Sequence, residues 1–235
     1  MVRIGCCGFA MAQDDYFATF NSIEIQKTFY QPPRPSTAEK WRAKASEDFV
    51  FTVKAWQAIT HYPSSPTYRR ASLDDEQKQQ CGGFQSTDMV WEAWDQSREI
   101  ARILDAPVIV FQCPASLDPS GKHIANMRKF FSSIDRGDLT VGWEPRGEWP
   151  DETIRELCAE LDLVHVVDPF QNAQLHGEMN YFRLHGKTGY RYEYSDEDLA
   201  ELLEMVNRDT AFCMFNNISM DDDARRFVRM IENSE

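Results

Sequence analysis

The chain alternates between two periodicities. Short apolar runs with a repeat of two give way to longer stretches in which apolar residues recur every three or four positions. The first period is that of a strand and the second that of a helix. The clearest run is 139–149, LTVGWEPRGEW. There Leu139, Val141 and Trp143 fall on one face, and Thr140, Gly142, Glu144 and Arg146 on the other, so a strand ends in a carboxylate and a guanidinium. Further strands are predicted over 3–7, 22–28, 49–54, 107–112, 163–168, 180–185 and 211–216.

Seven helices are predicted between and after these strands. They lie near 14–20, from Ser36 or Thr37 to about residue 45, over 88–104, after Ser120, after Pro150-Asp151, after Ser195 and after Asp221. Trp91, Trp94, Ile100 and Leu104 share the predicted inner side of the third; Ile124, Met127 and Phe131 share that of the fourth. Ser195 and Asp198 form a capping-box pattern with Asp in place of Glu, and Asp221, Asp222 and Asp223 put negative charge where a helix dipole favours it. One long irregular segment, 58–87, breaks the rhythm, and its length marks it as functional or mobile. Strand–helix alternation predicts a parallel sheet with helices outside it. Eight such units in 235 residues predict a single α/β domain over 1–235, a (β/α)8 TIM-like barrel rather than an open doubly wound sheet. No GxGxxG or GxxxxGK[ST] motif follows a strand, so no dinucleotide or P-loop site is indicated and the cofactor is left unassigned.

Composition narrows the function classes. A hydrophobic content of 42%, with 15 Phe and 6 Trp, supplies a substantial core. The net charge of −13 opposes nucleic acid except at a local basic patch. No charged leader with a long apolar run opens the sequence, and no stretch approaches the roughly 18 apolar residues of a membrane span. The expected location is the cytoplasm, with no membrane partner. The six cysteines form no CxxC and no zinc-finger spacing, and Cys7 at the end of the first strand is a minor candidate nucleophile.

Candidate chemistry follows from strand parity, because barrel active sites lie where the strands end. Glu24 shares a face with Ser22 and Gln26, Lys54 with Thr52, Gln112 with Val108 and Val110, and Asp168 with Val164 and Val166. Arg183 and His185 share a face with Tyr181, and Asn216 with Phe212 and Met214. If these faces point inward, Glu24, Lys54, Gln112, Glu144, Arg146, Asp168, Arg183, His185 and Asn216 meet at one mouth. So many charges are too costly to bury unpaired, which argues for a solvated or ligand-filled pocket. Internal salt bridges such as Glu24–Lys54 or Glu144–Arg183 are the alternative. Trp143 and Trp149 are assigned to packing.

The same residues carry a family resemblance. SIEIQKTFY (22–30), FVFTVKAWQAITH (49–61), VIVFQCP (108–114), VGWEPRGEW (141–149), YFRLHG (181–186) and CMFNN (213–217) occur in the order found in the DUF72 (YecE-like) family, which the chain resembles along nearly its whole length. Two departures stand out: IGCCGFAMA replaces an IGTSGW-x-Y-like start, and GWEPRGEW replaces a VEFRH-like motif. A FYP-containing segment near the start is also missing. The resemblance implies a TIM barrel and leaves function open. It connects the barrel with sugar isomerases and apurinic endonucleases only by analogy of fold.

The leading expectation is an enzyme, a hydrolase, lyase or isomerase, acting on a small anionic or phosphorylated substrate. Glu24 or Glu144 would be the base, His185 the acid, and Lys54 a further catalytic group. Lys54, Arg146 and Arg183 would hold the anion, with Gln112, Asn216, Asp168 and His61 as further binding residues. A Schiff-base role for Lys54 has only its residue type behind it. A metal-dependent isomerase or phosphodiesterase version would use Glu24, Glu144, Asp168 and His185 as ligands; the cations at the mouth oppose it, and no metal is assigned. Nucleic-acid binding through HYPSSPTYRR, with Arg69 and Arg70 among His61, Tyr62 and Tyr68, and through GYRYEY, with Arg191, is possible but not favoured. Oligomeric state and a lid role for 58–87 stay open.

Overall fold

The computed structural model describes residues 1–233. Its elements run β1 (Val2–Cys6), α1 (Gln13–Thr19), β2 (Ser22–Ile25), α2 (Lys27–Tyr30), α3 (Pro35–Lys44), β3 (Val50–Lys54), α4 (Gln57–Thr60), a 3-10 turn at Pro66–Arg70 and α5 (Asp75–Gln79). They continue as α6 (Asp88–Ile103), β4 (Val108–Gln112), α7 (Gly121–Ser133), β5 (Thr140–Glu144), α8 (Asp151–Leu161), β6 (Leu163–His165), β7 (Asn180–Leu184), α9 (Asp196–Met205), β8 (Ala211–Phe215) and α10 (Met220–Glu232). All strand pairs are parallel.

Helix starts follow side-chain chemistry. Thr87, Ser120 and Ser195 each accept from the backbone N–H three residues on, and Ser195 with Asp198 completes a capping box. The second strand stops earlier than expected. Thr28 Oγ1 donates to the Ile25 carbonyl at 2.7 Å, and the chain turns into α2 instead of extending to residue 28. Segment 58–87 is knit rather than loose: Gly82 N–H donates to Ala58 O, Gly83 N–H to Thr60 O and Phe84 N–H to Ile59 O, and Phe84 is buried.

The strand parity expected at the mouth is the one observed. Val108, Val110, Val164, Val166, Tyr181, Phe212 and Met214 form a buried cluster of their own with Cys7. The alternate residues, among them Ile109, Phe111, Trp143, Leu184 and Phe215, join the larger core beneath the helices.

The expected single closed cylinder is not what the ladders form. The eight strands make a three-stranded sheet, β1-β8-β7, and a five-stranded sheet, β2-β3-β4-β5-β6. Two seams separate them, each with one isolated bridge, Cys7–Glu24 and Val167–Phe182. Side chains fill the first seam. Asn21 accepts from Ile4 N–H and donates to Val2 O, while the Tyr16 hydroxyl accepts from Cys6 N–H and donates to Ser22 O. Gly5 permits this closeness, since a Cβ there would lie 2.0 Å from Ser22 O. At the second seam the chain folds back on itself. His165 N–H donates to His176 O, and Leu175 N–H donates to His165 Nδ1, so β6 spends its edge on residues 175–176 before reaching β7.

Candidate functional site

The predicted polar residues do gather at the carboxyl ends of the strands, in two layers. The lower layer is dry. Arg183, at 0% exposure, donates from Nε and Nη2 to Glu24 at 3.0 and 2.8 Å, and from Nη1 to Glu144 Oε2. Glu24, also fully buried, takes a further bond from the Tyr181 hydroxyl at 3.0 Å, and that hydroxyl lies 2.7 Å from Thr52 Oγ1. Arg183 Nη2 is 3.6 Å from Cys7 Sγ. Burial drives the Cys7 thiol up to about 12, with Glu24 adding to the rise, so this sulfur stays protonated.

The expected Glu144–Arg183 pair is therefore present, but Glu24 pairs with Arg183 and not with Lys54. Both oxygens of Glu24 are engaged and closed to solvent, which suits an anchor for Arg183 better than the base expected of it. Arg183 is likewise covered and cannot clamp a ligand as it stands. Burial opposes its charge, but Glu144 and Glu24 outweigh that and hold the guanidinium firmly protonated.

The upper layer faces a cleft of about 790 Å³. Glu144, Arg146, His165, Asp168, His185 and Lys187 contribute to its wall. Arg146 Nη2 forms an ion pair with Glu144 Oε1 at 2.6 Å and donates to His185 Nε2. A guanidinium only donates, so His185 Nε2 is the acceptor toward Arg146 and the neutral ring's proton falls on Nδ1, 3.1 Å from the side-chain amide of Asn216; Nε2 also lies 3.4 Å from Glu144 Oε1. Asp168 accepts from the backbone N–H of His185 at 2.9 Å and of Phe170 at 3.1 Å.

These environments push the ionisable groups apart. Burial alone would raise the Glu144 carboxyl, but Arg183 and Arg146, with His185, hold it well below the usual range. Burial lowers His185 and keeps the imidazole neutral. Burial raises Asp168 against its two backbone bonds. A permanently ionised carboxylate thus sits beside a neutral imidazole, with a reluctant acid across the cleft.

Lys54, His61 and Gln112 stand to one side and do not line this cleft. Lys54 Nζ donates to Gln112 Oε1 at 2.6 Å and lies 3.8 Å from the centre of the Phe29 ring. Burial, then Arg183, pushes its ammonium down to about 7. His61 is buried, bonded to Thr60 through Nδ1 and packed edge-on against Phe29; burial, then Lys54, pushes it down to about 3. Asn216 also stays out of the cleft wall and acts on it through His185.

Sequence parity did not single out Tyr181, which bonds Glu24, or Phe29, which packs on Lys54. Tyr181 shares Arg183's face, which was the available signal for its contact with Glu24. Phe29, in α2 and one residue past the expected strand, had none. Trp143 and Trp149 pack against each other at 5.0 Å, consistent with packing roles. In the basic-aromatic segments, Tyr68 and Tyr194 are buried, and Arg70 lies 5.0 Å from the Tyr30 ring. Among the described residues, no three His, Cys, Asp or Glu side chains are grouped as metal ligands; Glu24, Glu144, Asp168 and His185 bond to guanidinium, amide and backbone groups instead. No helix among these residues is long and apolar enough to cross a membrane.

Comparison with curated protein sequences finds no match. Solved structures do match. A DUF72 family protein from Enterococcus faecalis superposes with a TM-score of 0.75 at 19% identity, covering 100% of this chain and 97% of that one. A DUF72 family protein from Thermotoga maritima gives 0.72 at 22% identity, with 99% of each chain covered. Endonuclease IV from Thermus thermophilus gives 0.55 at 10% identity, covering 98% and 99%, a likeness of fold alone. The family model described as "Protein of unknown function DUF72" matches residues 12–235, and this chain belongs to that family.

Proposed function

We propose that the two sheets act as one barrel whose carboxyl-end mouth binds a small anionic substrate and moves a proton on it. The carrying observation is the Arg146–Glu144–His185 group on the wall of the cleft, set on the buried Glu24–Arg183–Glu144 chain. Arg146 has a side chain 35% exposed and spends only Nη2 on Glu144 and His185, so its other N–H donors are available to a phosphate or carboxylate. Neutral His185 is the base in this reading. Glu144, held ionised, stabilises the imidazolium that forms and keeps the ring in place. Asp168 is the candidate acid. The order differs from the sequence expectation of a Glu base and a His acid, because two guanidiniums make Glu144 a weak base. Reactions of the hydrolase, lyase or isomerase classes fit such a set.

Nucleic-acid binding has less support: Tyr68 and Tyr194 are buried, and although Tyr190 is exposed, the net charge of −13 opposes a polyanion. The test is a panel of phosphorylated and carboxylated metabolites screened by thermal shift, with turnover assayed on those that stabilise. Arg146→Gln should remove the stabilisation. His185→Gln should keep it and lower turnover by about 10²–10⁴-fold, the range for a lost general base. Unchanged turnover in His185→Gln would remove this assignment.

A further inference from the structure

Lys54 is a charged-type residue that the acid–base scheme above does not use. Its surroundings are unusual for an amine. It is 5% exposed, and among the described residues no carboxylate lies within ion-pairing distance of it. The two nearby carboxylates, Glu24 and Glu144, have spent their oxygens on Arg183 and Arg146. Among the described residues, the amide oxygen of Gln112 is its one polar side-chain contact, and the nitrogen lies over the face of the Phe29 ring at 3.8 Å. A fully buried guanidinium nearby disfavours a second cation. Such a site holds the amine with an available lone pair.

Gln112 stands between Lys54 and the cleft. That side chain is half-buried at the end of β4, and its register partner on β5 is Glu144, which lines the cleft. Lys54, Gln112 and Glu144 therefore form a continuous arc from the amine to the proposed anion site.

We propose that Lys54 is an amine nucleophile that condenses with the carbonyl of a small aldehyde or keto acid admitted at this mouth. The inference rests on the reading of the mouth as an anion site, with Arg146 as the carboxylate or phosphate anchor. The neutral amine adds to the carbonyl carbon, forming the C–N bond while the C=O π pair moves to oxygen, which takes a proton. The carbinolamine then loses water as the nitrogen lone pair forms C=N. Overall, amine, carbonyl and one proton from solvent give an iminium and water, with no change in oxidation state.

The probe is glyoxylate with cyanoborohydride, which reduces the iminium to carboxymethyl-lysine, and the site is mapped by peptide mass spectrometry. Glycolate, which lacks the carbonyl, reports anion binding separately by thermal shift. Carboxymethylation at Lys54 should exceed that at any exposed lysine by about tenfold or more at neutral pH, where an ordinary lysine is almost wholly protonated. It should vanish in Lys54→Arg and Lys54→Met, each checked for folding by circular dichroism, without new label elsewhere. Glycolate stabilisation with label only on exposed lysines overturns the amine proposal and leaves the anion site standing. A Lys54 adduct without glycolate stabilisation supports the amine and removes the anion reading. Absence of both removes both.

Discussion

Arg183→Met tests the keystone of the lower layer. The guanidinium makes three bonds to Glu24 and Glu144 with no exposure of its own, and the carboxylates are 0% and 2% exposed. Methionine approximates the stem and removes the charge. Glu144 keeps Arg146 as a partner, but Glu24 is left with only the Tyr181 hydroxyl. Breaking a buried pair from one side costs about 3–5 kcal/mol, because the remaining charge is uncompensated. At about 2–4 °C per kcal/mol for a chain of this size, the melting temperature should fall by about 6–20 °C. The deficit should depend on pH. In the wild type the Glu144 carboxyl lies well below its ordinary value, so it contributes stability above the unfolded carboxylate range and loses it as pH falls through the folded value. The gap is therefore widest at neutral pH and narrows in acid. The assay is urea unfolding of wild type, Arg183→Met, Glu24→Gln and the double variant at neutral pH and at pH 4. A coupling energy of at least about 1 kcal/mol is expected between the two positions. A loss below about 1 kcal/mol, in the range of exposed pairs, would refute the dry-layer reasoning.

Two further outcomes follow from packing. Gly5→Ala would place a Cβ 2.0 Å from Ser22 O and 3.0 Å from the Tyr16 hydroxyl, so it should lower stability by about 1–3 kcal/mol or more, whereas Gly121→Ala meets nothing and should be neutral or stabilising; urea midpoints decide, and equal midpoints would contradict the seam geometry. All six cysteines are buried, and burial pushes each thiol up, so a disulfide exchange reagent should titrate none in the native protein and six after denaturation; rapid native labelling of Cys7 would count against the closed lower layer.

The parity of the strands was legible because a period of two leaves no choice of face once one residue is placed. That is why the sequence alone assigns Gln112, Glu144, Asp168, Arg183 and Asn216 to one end. Pairing was not legible. Whether Glu24 meets Lys54 or Arg183 depends on how strands distant in sequence are staggered across a seam. The division into cleft-facing and sealed groups was equally hidden, since Glu24 and Glu144 are the same residue type on the same strand parity. The end of the second strand was misplaced because QKT continues the alternation of SIEI, while a local hydroxyl-to-carbonyl bond at Thr28 turns the chain. Tyr16 and Asn21 stand in a short helix and a connector, where nothing in periodicity marks them as substitutes for backbone partners.

The second seam explains where the opening is. Residues after β6, Val166 to Asp168, and residues after β7, His185 and Gly186, form facing banks of the cleft. Across them the backbone is joined at Val167 alone, through bonds to Tyr181 O and from Arg183 N–H. Above that bridge a side chain spans the strands in place of a further rung: the Asp168 carboxylate takes the backbone N–H of His185 at 2.9 Å. The basin therefore sits where a carboxylate has replaced peptide as the link between the banks, and losing Asp168 would loosen the rim as well as remove an acid.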